Sequence, residues 1–186
     1  LRARTCDGVR QPVESFRLLD DGMVVEFGWP QVFAYLGYRN IIASALMARL
    51  FGRAFADLAE GDPVDRNELH LLTAFPGPGI LEAIELVTRI PSRHPDRLLI
   101  DTSAGPPEVP VAPKGRFYFE VQVGCNRRGY WPPKKIFDDL FRDMVKRYQT
   151  GEGTEEEQQR YRVFKQGKAN QILAFPEEEL FGSCRV

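Results

Sequence analysis

Apolar positions recur at helical spacing over residues 27–53, FGWPQVFAYLGYRNIIASALMARLFGR, through Val32, Phe33, Leu36, Ile41, Ala45, Leu46 and Leu50. This is the longest such pattern in the chain and predicts one helix with a wide buried stripe. Its start, at Gly28, Trp29, Pro30 and Gln31, is a natural ligand position, because the first backbone N–H groups of a helix lack partners and carry the positive end of its dipole.

Upstream, Phe16, Leu18 and Leu19 fit a short helix or an edge segment, as does Val13 before them. Asp20-Asp21-Gly22 reads as a turn, and Met23, Val24, Val25 and Phe27 as a strand feeding the helix. Gly61, Asp62 and Pro63 break the chain. A strand-length run, LHLLTAF, then leads through Pro76-Gly77-Pro78-Gly79 into a helix that buries Ile80, Leu81, Ala83, Ile84 and Val87. RLLI and FYFEVQV read as further strands, and the Pro- and Gly-rich stretch between them as an extended loop.

From Lys134 the pattern is helical again, with Ile136, Phe137, Leu140, Phe141, Met144, Val145 and Tyr148 on one face. Thr154 and Glu157 have the spacing of a capping box. They open a second helix carrying Tyr161, Phe164, Ala169, Ile172 and Leu173. Together these form a helical hairpin whose apolar faces must pack on the core or on a partner copy. The expected division is a core domain over 1–133 and the hairpin over 134–186.

Composition narrows the partners. The 186 residues are 43% hydrophobic and 27% charged, with a net charge of −1. That balance argues against a nucleic-acid binder or a binder of anionic membranes. No apolar run approaches the roughly 20 residues of a membrane span, and Leu1 to Arg4 carries no signal-peptide pattern. Cys6, Cys125 and Cys184 are odd in number and widely separated, which is not a disulfide framework. A cytoplasmic protein is expected.

Candidate chemistry is sparse. The Pro76–Gly79 turn could cradle an anion with backbone N–H groups, or could simply provide the strand-to-helix reversal. It is no nucleotide loop, since neither GK[ST] nor GxGxxG occurs. His70 and His94 are the only histidines and lack partners at zinc-ligand spacing. Cys125 precedes Asn126, Arg127 and Arg128, whose cations would favour a thiolate, although packing as a small hydrophobe is the simpler role. Glu26, Glu82, Glu85 and Asp101 are possible acid–base carboxylates, with no pair singled out. Trp29, Phe33, Tyr35 and Tyr38 cluster about the helix start, and Arg39 is a cation on an otherwise apolar stretch.

Three stretches, LGYRN with the apolar run after it, ILEAIELVTR, and the tail from Phe137 through GEGTEEE to ILAFPEEELF, resemble the formylmethanofuran dehydrogenase E-subunit family in order and spacing. The resemblance covers roughly residues 27–181. It implies an α+β fold, helices packed on a mainly antiparallel sheet, and a homodimer. Members of that family hold a transition metal, often zinc, on a His-Gly-His-x-Cys-Pro motif before GYR and a cysteine at the second signature helix. Counted back from Gly37-Tyr38-Arg39, those positions are Phe27, Trp29 and Gln31 here, with Gly79 at the helix. None suits a transition metal. Glu82 keeps the acidic position.

The resemblance therefore implies an accessory or small-ligand-binding protein with a degenerate metal site, taking a small anionic or heterocyclic ligand between the two Gly-containing turns. Trp29 would stack on it, Gln31 orient it, Gly77 and Gly79 offer N–H groups, and Arg39 and Glu82 set polarity. The alternatives are a zinc protein using Cys125 and His70, or an enzyme of one-carbon or molybdopterin-linked metabolism acting through Glu82 or Cys125.

Overall fold

The computed structural model describes residues 15–59 and 62–186, so the readings for Val13, Cys6 and Gly61 lie outside the described residues. The architecture is α+β. Asp21 and Gly22, at φ +52° and +74°, form the two-residue turn that joins β1 (Ser15–Asp20) to an antiparallel β2 (Met23–Gly28). Phe16 and Leu18 are thus strand residues, facing the core in alternation.

The expected single helix is two. α1 (Trp29–Leu36) ends at Gly37, whose φ of +64° a side chain would disfavour and whose N–H closes the helix on the Phe33 carbonyl at 2.8 Å. A 3-10 turn, Tyr38–Asn40, follows, and α2 (Ile41–Ala59) starts on a new axis. The break lifts Tyr38 and Arg39 out of the apolar stripe and leaves both exposed.

After α2 come β3 (Val64–Asp65), which pairs parallel with β1, and β4 (Leu69–Thr73). Next are α3 (Pro78–Thr88), a short α4 (Ile90–Arg93) and β5 (Leu98–Ile100). β6 (Phe119–Val123) and β7 (Asn126–Trp131) then form a hairpin through Gly124 and Cys125. α5 (Asp139–Tyr148) and α6 (Glu155–Ala174) precede a short α7 (Glu177–Leu180) and the edge strand β8 (Gly182–Arg185). The larger sheet runs β5-β4-β6-β7-β8, with β4 and β5 parallel and the other neighbours antiparallel. Both sheets therefore mix orientations, with antiparallel pairings in the majority in the larger one. The parallel pairings come from β3 and β5, which re-enter after helical crossovers.

Three strands were not expected, the two-residue β3, β7 and β8. In β7, Arg127 and Arg128 mask the strand pattern; Arg127 pairs with Glu120 of the neighbouring strand and Arg128 with Asp57 of α2 at 3.3 Å. β8 is only four residues long. α5 also starts later than Lys134, because Asp138 caps it by accepting from the Phe141 N–H at 2.8 Å. The Thr154–Glu157 capping box forms as expected.

α2 touches both sheets and α1, α3 and α6, which explains its burial on nearly every side. Each fully buried side chain such as Leu50 or Phe51 contributes roughly 1.5–3 kcal/mol. Ile136, Phe137, Phe141, Val145, Ala169 and Ile172 of the hairpin region share this one core with the strands and α2. Arg49, buried on α2, donates to the carbonyls of Leu173 and Phe175 at 3.3 and 2.8 Å, closing the C-terminal end of α6. The 101–117 loop folds back over the outer face of the sheet and buries Val109 against Leu72, Ala74 and Tyr118. No helix among the described residues is long and apolar enough to cross a membrane.

Candidate functional site

A cavity of about 130 Å³ lies where the starts of α2 and α3 meet the hairpin. Its walls are largely apolar and include five aromatic rings. Phe117 stacks on Phe137 with centroids 4.0 Å apart, and Phe75 and Phe141 meet that pair edge-on at 5.0 and 4.8 Å from Phe117 and Phe137 respectively. Val145 of α5 and Tyr161 of α6 complete the hairpin side.

The glycines of the Pro76–Gly79 turn serve close packing here. A Cβ on Gly79 would stand 2.9 Å from Cβ of both Ala43 and Asn40, so glycine lets α3 dock against the beginning of α2. A Cβ on Gly77 would meet the Phe75 ring at 2.7 Å. Neither glycine has a left-handed backbone; the constraint is space.

Outside the cavity a broader groove runs along α6. Arg39, Gln149, Tyr161 and Lys165 line both spaces and so form the collar between them. Lys165 Nζ donates to the carbonyls of Tyr38 and Arg39, each at 3.3 Å, and lies 5.1 Å from the Tyr161 ring centre. Removal from water, then the positive charges of Arg162 and Arg39, hold the Lys165 ammonium below the usual lysine range. Burial pushes the Tyr161 hydroxyl up. Among the described residues, neither Arg39 nor Lys165 forms an ion pair with a carboxylate. Among the described residues the collar thus holds two cations with no carboxylate in ion-pair contact, above an apolar floor.

The residues singled out in the sequence fall in two places. Arg39, Gly77 and Gly79 line the aromatic cavity. Glu82 sits one turn further along α3, exposed, and accepts from Asn40 Nδ2 at 2.8 Å. Trp29 and Gln31 line a separate cleft with Ser15, Glu26, Arg49 and Leu173. There Gln31 Oε1 accepts from the Gly28 N–H at 2.9 Å, tying down the start of α1, and Trp29 stacks on Phe33 at 5.2 Å.

His70 is exposed on β4 and borders a shallow cleft with Asp96, Glu120 and Arg127, while Cys125 is exposed in the β6–β7 turn. Nearby, buried Glu120 accepts from Tyr118 at 3.0 Å and from Arg127 Nε at 2.8 Å, a closed set of partners. Among the described residues no three His, Cys, Asp or Glu side chains are grouped to hold a metal.

No protein-family model, curated protein or solved structure matches the chain. The site is thus read from its own geometry.

Sequence reasoning missed Lys165 and Gln149 and treated Phe137, Phe141 and Tyr161 only as packing faces of the hairpin. One signal was available: Lys165 follows Tyr161 by four residues, which puts a cation on the apolar face of its helix. What it would meet there was not legible, since Tyr38 and Arg39 are more than 120 residues away.

Proposed function

We propose that this protein is a non-catalytic, small-ligand-binding accessory protein whose ligand occupies the cavity at the start of α3. One observation carries the reading: an aromatic-walled cavity whose polar side chains gather at its mouth, the usual composition of a small-molecule site. Size limits the ligand. An apolar protein cavity of about 150 Å³ accommodates benzene, so about 130 Å³ suits one ring or a short branched chain. A whole nucleotide or pterin would have to leave most of its atoms in the outer groove.

The resemblance to the formylmethanofuran dehydrogenase E-subunit family supplies the accessory role, and with it a homodimer; the odd, widely separated cysteines point to a cytoplasmic protein. Phe27, Trp29, Gln31 and Gly79 stand at that family's ligand positions, which favours an organic ligand over a metal in this reading. Light scattering on the purified protein checks the dimer.

The cavity is tested by NMR titration with neutral probes, benzyl alcohol and indole. Shift changes are expected at Phe117, Phe137 and Phe141, and should vanish when Val145→Phe or Ala43→Leu fills the space. Equal binding by folded filling variants, or shifts scattered over the surface, removes the reading.

A further inference from the structure

Resting on the cavity reading above, we infer that the ligand is a small monocarboxylate, with its ring or branched chain against Phe117, Phe137 and Phe141 and its carboxylate between Arg39 and Lys165. The apolar floor and the positive rim are independent observations that converge on one molecule. The floor has room for about one ring. The rim brings together two cations that lack a carboxylate partner among the described residues.

Like charges gathered at a half-buried mouth oppose each other unless an anion lies between them. Lys165 spends two donors on the Tyr38 and Arg39 carbonyls, which leaves its third N–H for the ligand. Arg39, exposed at the rim, can offer a carboxylate two parallel N–H groups. Gln149 and Tyr161, the other collar residues, are neutral donors at the same level. A planar carboxylate matches this set, because its two oxygens can take the Arg39 fork and the remaining Lys165 N–H.

The depressed Lys165 ammonium agrees with this arrangement: its causes are lost solvation and two neighbouring cations, and a bound carboxylate would offset both. The outer groove adds Arg162, but Glu155 already holds that guanidinium in an ion pair. The demand for an anion is therefore concentrated at Arg39 and Lys165.

Calorimetric and NMR titrations of the full chain with benzoate, 3-methylbutyrate, benzyl alcohol and phenyl phosphate separate the possibilities. Benzoate is expected to bind at least about ten-fold more tightly than benzyl alcohol, the scale of one charge-assisted contact. Arg39→Gln and Lys165→Gln, both at solvent-accessible positions, should each remove about that factor for benzoate and weaken benzyl alcohol much less. Equal binding of benzoate and benzyl alcohol overturns the carboxylate and leaves the cavity intact. Phenyl phosphate binding as tightly as benzoate overturns the monoanion. If no probe enters the cavity, the underlying site reading fails with it.

Discussion

The Lys165 ammonium donates to the backbone carbonyl of Arg39 at 3.3 Å, so main chain, with no bridging carboxylate, links the two cations of the collar. Carbonyls hold a lysine in position without neutralising it. The Lys165 pKa accordingly lies below the usual value, first through desolvation and then through Arg162 and Arg39.

That direction sets a pH dependence for benzoate. A bound carboxylate raises the Lys165 pKa above its free-protein value, so between the two values binding takes up a proton. Affinity should be flat below this window and fall as pH rises through it. Calorimetry in buffers of different ionisation enthalpy reads the uptake directly. Lys165→Gln should flatten the profile; an unchanged slope in that variant would assign the titration to another group.

Gly79→Ala tests the docking of α3 on α2. The added methyl would come within 2.9 Å of Cβ on Ala43 and Asn40, short and rigid neighbours, so the helices must part. Overpacking of this kind costs roughly 1–3 kcal/mol. Alanine's better helix propensity, worth about 1 kcal/mol, offsets only part of that. Gly77→Ala meets the edge of the Phe75 ring, which can rotate away into the cavity. Urea unfolding should rank the two, with Gly79→Ala the more damaging; the reverse order would contradict the packing account.

Arg49→Lys tests how the hairpin is held. The buried guanidinium reaches the Leu173 and Phe175 carbonyls at once, a fork that an ammonium on a flexible stem cannot reproduce. Burial lowers the Arg49 pKa and Glu177 acts against that, yet the group stays charged at neutral pH. Leaving one buried carbonyl unpaired costs about 1–3 kcal/mol. For a chain of this size that lowers Tm by roughly 2–12 °C. Thermal melts measure it, and a shift below one degree would mean that solvent already reaches these carbonyls.

Much of the fold was legible because it rests on local rules. Asp21-Gly22, Thr154 with Glu157, and the apolar faces of α3 and α6 carry their signals within a few residues. The break at Gly37 was missed because periodicity continues across it: Leu36 and Ile41 are both buried although the axis changes between them. β7 was missed because the charges that hide its pattern are matched by Glu120 and Asp57, partners seven and 71 residues away. The site divides in the same way. Arg39 and the glycine turn stood out as local oddities, whereas Lys165 is a collar residue only because α6 folds back across the start of α2.

Trp29 remains the least satisfied group among the described residues. Its indole Nε1 is buried and has no hydrogen-bond partner, while its rings stack on Phe33 at 18° between planes. An unpaired buried donor costs about 1–3 kcal/mol. Trp29→Phe keeps the stack and removes the donor, at the loss of some apolar contact at about 25 cal/mol per Å². The two terms nearly cancel, or favour phenylalanine, so Tm should hold or rise by a few degrees. Trp29→Ala surrenders the stack as well and should destabilise. Because Trp29 lines a different cleft from the collar, Trp29→Phe should leave benzoate affinity within two-fold of the parent. A larger loss would mean that the two clefts act together on one ligand.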